Sequence, residues 1–278
     1  MTVLEVVQVT TTYFNKHTIE SPRLNAEHLL AHVLGRKRIE LYLEFERELT
    51  ESELAPLRAL VKRRGGGEPL QHLLGTAEFC GHVFLCDKRA MVPRPETEEL
   101  VELLKSQIRN SKSRILDVGT GSGVIALSLA MEFPEAEIFA VDISDDALAL
   151  ARENAASLNL SDRVGFVKSN LLENVQGPFD LIAANLPYIS TQQRHALSRE
   201  VLHDPEIALF ASAQGDELVR EVIAQAPPHL RPGGMLALEI GLGQSEGLLS
   251  ALAEKNYRDI YSKTDYSGVT RFLFARYG

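Results

Sequence analysis

Residues 114–142 read RILDVGTGSGVIALSLAMEFPEAEIFAVD, in which a short apolar run, a glycine-rich turn, a helical segment and a second apolar run follow one another. This order of strand, helix and strand predicts an α/β fold with a mainly parallel sheet and helices on both of its faces. Ligands of such sheets bind beyond the carboxyl ends of the strands. The chemistry of this chain is therefore expected where its apolar runs end.

The alternation of strands and helices continues to the end of the chain. Further elements are predicted by the hydrophobic pattern, namely helices at 144–159 and 216–230 and strands at 164–169, 179–185, 233–241, 257–265 and 270–277. The preceding residues differ in character. Residues 1–75 read as a small helical domain, residues 76–92 alternate weakly as a β-hairpin linker would, and residues 93–278 form the α/β domain.

Composition places the chain among ordinary globular proteins, because 45% of its 278 residues are hydrophobic and 24% are charged. No apolar run approaches the roughly 20 residues of a membrane span, and the N-terminus resembles no secretion signal. We therefore expect a cytoplasmic protein without a membrane partner. Cys80, His82 and Cys86 have no apparent fourth ligand, so we interpret them as two reduced thiols and a surface histidine rather than a metal site.

The net charge of −9 argues against stable binding to nucleic acid. The first 75 residues are electrically balanced, with ten Lys/Arg and ten Asp/Glu, and contain two basic clusters at 36–38 and 62–64. We interpret these clusters as solvated helix ends, where cations are favourable. A docking patch for an acidic or RNA-containing partner is the alternative.

A glycine-rich turn ends the first strand of the α/β domain. Glycines at three alternate positions let the backbone turn tightly and approach a ligand, and the helix that follows presents free N–H groups. We predict that the loop binds a cofactor through Gly119, Thr120, Gly121, Ser122 and Gly123. Its G-x-G-x-G spacing differs from that of dinucleotide binders. Asp117, just before the loop, suits an amino group better than a pyrophosphate.

The next strand ends at Asp142, 23 residues after Gly119. An acidic residue at this place accepts hydrogen bonds from the ribose hydroxyls of an adenosine-containing cofactor. A helix N-cap is the alternative role for Asp142, but Ser144 and Asp145 can cap that helix without it. The glycine loop and Asp142 together predict an adenosine cofactor.

The strand at 179–185 ends in the tetrapeptide Asn-Leu-Pro-Tyr. If the cofactor is S-adenosylmethionine, this tetrapeptide can hold a planar amide or aromatic amine whose nitrogen accepts the methyl group. The side-chain oxygen of Asn185 and the carbonyl of Leu186 would each accept one N–H of that group. Pro187 restricts Leu186 to extended geometry, and Tyr188 offers a flat face. An Asx-type turn with a packed tyrosine is the structural alternative.

Six stretches of the chain resemble one known family, and they read EPLQHLLGTAEF, VPRPETEEL, ILDVGTGSGVIALSLA, VDIS, ANLPYIS and LRPGGMLALEIGLGQ. They are similar to the protein-glutamine N5-methyltransferases that modify peptide-chain release factors, the PrmC/HemK family. The resemblance covers nearly the whole chain. PRPETE is a much more specific motif than the glycine loop, which many methyltransferases share.

The resemblance implies a class I methyltransferase domain, Rossmann-like with a mainly parallel seven-stranded sheet, and a helical domain that helps to dock the substrate. It implies methyl transfer from S-adenosylmethionine to N5 of the glutamine in the Gly-Gly-Gln motif of class 1 release factors. S-adenosylhomocysteine would be the product. Asn185, Pro187 and Tyr188 match the family's catalytic motif.

Two departures from the family pattern stand out. The family usually reads Asn-Pro-Pro-Tyr, and Leu186 replaces the first proline while keeping the carbonyl acceptor. After the strand at 164–169 the family often has an acidic and an aromatic residue, and here either Asn170 or Leu171 would meet the adenine. The stretch PRPET is expected near the cofactor through Arg94, Glu96 and Thr97.

Other functions remain open from the sequence. Asn-Leu-Pro-Tyr also resembles the motif of rRNA adenine dimethyltransferases, so N6-adenine methylation of RNA or DNA is the alternative, although PRPETE and the acidic net charge oppose it. A dehydrogenase would have no use for this tetrapeptide. A non-catalytic module would bind the cofactor without transferring methyl groups.

Overall fold

The computed structural model describes residues 1–278, and the chain folds into two compact units. The first unit contains Met1–Thr76 and Ser198–His203, and the second contains Ala77–Leu197 and Asp204–Gly278. The α-helices are α1 Val3–Lys16, α2 Pro22–Leu34, α3 Glu51–Gly65, α4 Leu70–Leu74, α5 Pro95–Gln107, α6 Val124–Glu132, α7 Asp145–Ser157, α8 Glu206–Leu209, α9 Glu217–Gln225 and α10 Ser245–Ala253. The strands are β1 Thr76–Phe79, β2 His82–Leu85, β3 Arg114–Val118, β4 Glu137–Asp142, β5 Val164–Lys168, β6 Phe179–Asn185, β7 Leu230–Glu239, β8 Tyr257–Thr264 and β9 Thr270–Tyr277.

The first unit is helical, and its core is built from the apolar faces of α1, α2 and α3, including the fully buried Phe14 and Leu29. No helix of the chain is both long and apolar enough to cross a bilayer. The short segment Ser198–His203 belongs to this unit although it is distant in sequence. The buried Arg64 donates from Nη2 to Oε2 of Glu200 in that segment, at 2.7 Å.

A seven-stranded sheet forms the centre of the second unit, in the order β5-β4-β3-β6-β7-β9-β8. Strands β3 to β7 pair in parallel, whereas β9 runs antiparallel to both β7 and β8. The mainly parallel seven-stranded sheet expected from the sequence is therefore confirmed. The hairpin of β1 and β2 forms a separate two-stranded sheet.

Adjacent residues of the central strands point to opposite faces of the sheet and are buried under different helices. Ile115 lies in one core with apolar side chains of α5 and α6, while Leu116 lies in the other with those of α9 and α10. Burying a side chain of this size contributes about 1.5–3 kcal/mol. The apolar character of these strands follows from burial on both faces.

The predicted elements differ from the observed ones mainly at their ends. The helix predicted at 216–230 ends at Gln225, because Pro227 and Pro228 have no N–H to continue it, and a 3₁₀ turn follows at Pro227–His229. The strand predicted from 233 begins at Leu230. Helix α10 was not predicted from the hydrophobic pattern.

Candidate active site

A cavity of about 240 Å³ opens in the second unit at the carboxyl ends of β3, β4 and β6. Twelve of the residues predicted from the sequence line it, namely Arg94, Thr97, Gly119, Thr120, Gly121, Ser122, Asp142, Asn170, Leu171, Asn185, Leu186 and Pro187. Glu96, Gly123 and Tyr188 were predicted to bind ligands but do not form part of its wall. The three strand ends selected from the sequence therefore meet in one place.

The glycine loop needs glycine for different reasons at its two ends. Gly119 has a φ of +73°, and an added Cβ would lie 2.7 Å from Cδ2 of Leu186, so a larger residue would displace that side chain. Gly123 has a φ of +84°, and its added Cβ would lie 3.2 Å from Cβ of Ala151 on α7. Gly123 therefore permits the close packing of α6 and α7 instead of facing a ligand.

Asp117 lies completely buried on β3, immediately before the glycine loop. Its Oδ2 accepts hydrogen bonds from Oγ1 of Thr120 at 2.6 Å and from the N–H of Ala126 at 3.2 Å, while its Oδ1 is buried without a partner. Burial raises the pKa of Asp117 to about 7, although these two hydrogen bonds oppose the shift. The site therefore contains one unpaired carboxylate oxygen behind the loop.

Asp142 fixes the loop and also faces the cavity. Its Oδ2 accepts the N–H of Gly121 and its Oδ1 accepts the N–H of Ser144, both at 2.9 Å. Each carboxylate oxygen can accept a second hydrogen bond, so both remain able to bind hydroxyl groups. Burial raises the pKa of Asp142, and the N–H donors oppose that shift.

An apolar surface adjoins Asp142. Ile143 lines the cavity with 47% of its surface exposed, and Leu171 lines it from the segment after β5. Leu171 has a φ of +47°, an unusual backbone conformation for a residue other than glycine. Asn170 also lines the cavity and donates from Nδ2 to Glu173. Asn170 and Leu171 thus line the same cavity as Asp142 and Ile143.

Asn185 is the last residue of β6 and belongs to a buried hydrogen-bonded chain. Its Nδ2 donates to Oγ1 of Thr97 at 2.9 Å, and that hydroxyl donates to Oε2 of Glu239 at 2.8 Å. The Oδ1 of Asn185 is buried and has no hydrogen-bond partner. An unpaired buried acceptor costs about 1–3 kcal/mol, so a donor from a ligand would satisfy it.

Tyr188 lies behind the cavity wall. Its backbone carbonyl accepts from Nε2 of Gln244 at 3.0 Å, and an added Cβ on Gly215 would lie 2.7 Å from the same oxygen. Burial raises the pKa of Tyr188 to about 12, with a further contribution from the charge of Glu239. Glu96 lies close enough to raise the pKa values of Tyr188 and Glu239. Tyr188 and Glu96 therefore lie close to Glu239, which pairs with Asn185 in the sheet.

Arg94 lines the cavity but also has a structural role. Its Nη2 donates to Oδ2 of the buried Asp204 at 2.6 Å, and Oδ1 of Asp204 accepts the N–H of Val92 at 3.2 Å. Hydrogen bonds of this charged kind stabilise a structure more than neutral ones do. The PRPET stretch is therefore held against the segment that continues into α8.

Sequence reasoning missed several residues at the site. Glu239 is a carboxylate that ends an otherwise apolar strand, and that contrast was the available signal for it. Ile143 directly follows Asp142 and could have been found as an apolar neighbour. The residues around α8 gave no signal, yet they contribute wall residues Pro205, Ile207, Ala208 and Phe210.

The structure contains no group of three His, Cys, Asp or Glu side chains arranged to hold a metal ion. Burial raises the pKa of the Cys80 thiol to about 11 and that of the Cys86 thiol to about 12, with nearby carboxylates contributing. Both thiols are therefore protonated, and weakly nucleophilic, at neutral pH.

Two family profiles match the chain. Residues 5–75 match the family described as PrmC N-terminal domain, and residues 95–211 match the methyltransferase small domain. The glycine loop, Asp142 and Asn185 all lie within the second match. The boundary between the two profiles falls around the β1–β2 hairpin.

Relatives of the chain align with nearly all of it. The release factor glutamine methyltransferase of Chlorobaculum tepidum is 40% identical, with 98% of this chain and 96% of the relative aligned. The protein of the same name from Deinococcus radiodurans is 39% identical over 99% of both chains. The one from Escherichia coli is 38% identical over 93% of both.

Solved structures share the fold of the second unit. A ribosomal protein L11 methylase from Lactobacillus delbrueckii superposes with a TM-score of 0.51 and 26% identity, covering 66% of this chain and 81% of that one. A T. thermophilus 16S rRNA methyltransferase in complex with AdoMet and guanosine has a TM-score of 0.54 and 20% identity, covering 73% and 50%. The latter likeness shows the fold alone.

Proposed function

The chain belongs to the release factor glutamine methyltransferase family, and from this premise we propose how its own residues perform the reaction. It is a class I methyltransferase that modifies a glutamine side chain of a release factor. The names of its relatives favour this activity over methylation of adenine in RNA or DNA. We assign the glutamine to the Gly-Gly-Gln motif of class 1 release factors.

The cavity wall fits S-adenosylmethionine by its chemistry. Asp142 has free acceptor capacity for ribose hydroxyls, and the apolar side chains of Ile143 and Leu171 suit a planar base. Gly119 keeps the loop open where a Cβ would intrude. Asp117, whose Oδ1 is unpaired, lies fully buried behind this loop and does not line the cavity. Bound S-adenosylmethionine would supply an electrophilic methyl group.

The unpaired Oδ1 of Asn185 is the observation on which the glutamine site depends. A primary amide has two N–H donors, and its nitrogen is a poor nucleophile because the lone pair is delocalised. Asn185 Oδ1 accepts one N–H and the carbonyl of Leu186 accepts the other, which orients the nitrogen for reaction. Preorganised acceptors of this kind cost no reorganisation at the moment of reaction. The nitrogen becomes acidic once methylated, so no strong general base is needed.

Leu186 retains this role although the family usually has proline. Its side chain is buried and packs against Gly119 of the glycine loop. This packing holds the turn in place. Pro187 lines the cavity directly after it and restricts the backbone of Leu186. We therefore propose that packing against the glycine loop replaces the stiffness of the missing proline.

The helical unit is proposed to help dock the release factor. It exposes two large apolar side chains on the 3₁₀ helix Arg38–Leu43, Ile39 at 69% and Leu43 at 87%. We expect Leu43→Asp to raise KM for an intact release factor and to leave KM for a short Gly-Gly-Gln peptide unchanged. Val9→Asp, at an exposed position of α1, is the control. Equal KM values for both variants on the intact factor contradict this docking role.

The test of the function is a competition between substrates. A purified class 1 release factor and rRNA are offered together with methyl-labelled S-adenosylmethionine, and the label is counted in each. We expect the label in the factor, and Asn185→Ala should reduce it by about 10²–10³-fold, as the loss of one preorganised polar contact does. Label found in the RNA alone overturns the proposal. Calorimetry with the cofactor checks that the variant retains its binding site.

A further inference from the structure

Glu239 is a buried carboxylate that the proposed reaction does not use directly. Only 1% of its surface is exposed, and it ends β7 beside Asn185, which is its register partner on β6. Burying a carboxylate is costly unless hydrogen bonds compensate. The hydroxyl of Thr97 donates to its Oε2 at 2.8 Å, and the neighbouring side chain of Asn185 also favours its ionised form. The role of the carboxylate therefore concerns Thr97 and Asn185.

The direction of the hydrogen bonds follows from the number of hydrogens. An ionised carboxylate only accepts, so the single hydroxyl hydrogen of Thr97 is donated to Glu239. The oxygen of that hydroxyl is then left as an acceptor, and it accepts from Nδ2 of Asn185. A reversed amide would place Oδ1 against the lone pairs of Thr97. This series of hydrogen bonds from Asn185 through Thr97 to Glu239 thus leaves Oδ1 of Asn185 directed away from Thr97.

We propose that Glu239 is a positioning residue that acts through Thr97 to fix which atom of the Asn185 amide is presented to the substrate. The inference rests on the function proposed above, because it concerns the acceptor for the glutamine amide. It adds a proton-dependent switch. A protonated Glu239 can donate to Thr97, whose hydrogen then points to Asn185 and favours the reversed amide. The reversed amide presents Nδ2, a donor that cannot accept the N–H of a glutamine.

Charged and titratable groups from several elements face Glu239. Arg271 on β9 favours its ionised form, and Glu96 on α5 disfavours it, while Tyr188 lies nearby and is neutral at ordinary pH. Asp265 partly neutralises Arg271, at 3.6 Å from its Nε. Burial is the largest influence, and it raises the pKa of Glu239 to about 7. The productive orientation is therefore held above that pH and is lost as the pH falls through it.

The first test is the pH dependence of kcat at saturating cofactor and release factor. For a single group that titrates at about pH 7, kcat should fall about tenfold one unit below the midpoint. Glu239→Gln removes the titration, and Thr97→Val removes the connection, so both variants should lose this acid limb. Glu239→Gln should also lie about twofold or more below the wild-type plateau, since it favours neither amide orientation. Thr97→Ser keeps the hydroxyl and should keep the limb.

A purely structural role for these residues predicts a different pattern. It lowers kcat or stability in Glu239→Gln and Thr97→Val without removing the acid limb, and that outcome overturns the inference. Thr97→Ser then serves as the matched control, because it conserves the hydrogen bonds and loses only a methyl group. A limb that persists in Glu239→Gln assigns the titration to another group and also contradicts the proposal.

The second test needs no substrate. In protein labelled with nitrogen isotope at asparagine, the side-chain NH₂ resonances of Asn185 are identified by their loss in Asn185→Ala. They should shift between about pH 6 and about pH 8.5 in the wild type and stay constant in Glu239→Gln. Resonances that do not move in the wild type overturn the inference. A shift without any label transfer to a release factor supports the switch and refutes the proposed function, so the two failures are distinguishable.

Discussion

Replacing Asp142 by asparagine tests the cofactor site with a change of one atom. The carboxylate accepts the N–H of Gly121 on one oxygen and the N–H of Ser144 on the other. An asparagine has a single acceptor oxygen, so Asp142→Asn must place its NH₂ group against one of these two donors. The variant therefore loses a loop contact, a ribose acceptor and the negative charge together.

The expected loss of affinity follows from these contacts. A hydrogen bond to a charged group contributes about 1.5–3 kcal/mol, and the donor facing another donor adds a smaller penalty. We expect Asp142→Asn to weaken S-adenosylmethionine binding by about 2–4 kcal/mol. This corresponds to an increase of Kd by about 30- to 700-fold, since each 1.4 kcal/mol is a factor of ten.

Isothermal calorimetry with S-adenosylmethionine and S-adenosylhomocysteine measures this loss. Asp146→Asn is the matched control, because it removes the same charge from an exposed side chain in the first turn of α7. Charges that are exposed to solvent are largely screened, so the control should bind almost as the wild type does. If a folded Asp142→Asn binds within about threefold of the wild type, the ribose assignment is wrong.

Three further predictions concern stability and are measured by denaturant unfolding. Gly119→Ala should destabilise the protein by about 2–4 kcal/mol, because the new Cβ would lie 2.7 Å from Cδ2 of Leu186. Leu186→Ala removes this clash, so it should cost less stability in the Gly119→Ala background than in the wild type. Asn154→Ala should cost about 2–4 kcal/mol, since this fully buried amide bonds the backbone of both β2 and the glycine loop. Burial alone would raise the pKa of Glu27, but hydrogen bonds from Arg23, Tyr42 and Arg38 outweigh it and lower that pKa. The contribution of Glu27 to stability is therefore present at neutral pH and is lost as the pH falls. Glu27→Gln should accordingly make the unfolding free energy depend less on pH in the acid range.

Each of these predictions can fail clearly. Additive losses in the double variant of Gly119 and Leu186 would show that the two positions do not clash. An unchanged unfolding free energy in Asn154→Ala would mean that its three hydrogen bonds are replaced at no cost. A wild-type acid limb that survives in Glu27→Gln would assign the loss of stability to other carboxylates.

The strand ends were predictable because their signals are local. A continuous apolar run predicts a buried parallel strand, and the residue that breaks it is found at the sheet edge where ligands bind. Asp142 and Asn185 were identified in this way, and both line the cavity. The glycine loop was equally visible, although only the structure shows that Gly123 serves helix packing.

Contacts that depend on sheet register could not be predicted from one sequence. Thr97 and Glu239 are 142 residues apart, and they meet at Asn185 only because β6 and β7 pair with that register. The same limit hid the membership of Ser198–His203 in the helical unit, where Glu200 bonds Arg64 and Arg199 bonds His17. Short local patterns contain no information on such pairings.

The central claim is that the unpaired Oδ1 of Asn185 orients a glutamine amide for methylation. Tandem mass spectrometry of a class 1 release factor, incubated with the full chain and isotope-labelled S-adenosylmethionine, tests it most directly. The account predicts a single labelled methyl group on the side-chain nitrogen of the Gly-Gly-Gln glutamine, which is nearly absent with Asn185→Ala although that variant still binds the cofactor. A methyl group on another residue, or undiminished labelling of that glutamine by Asn185→Ala, would contradict the account.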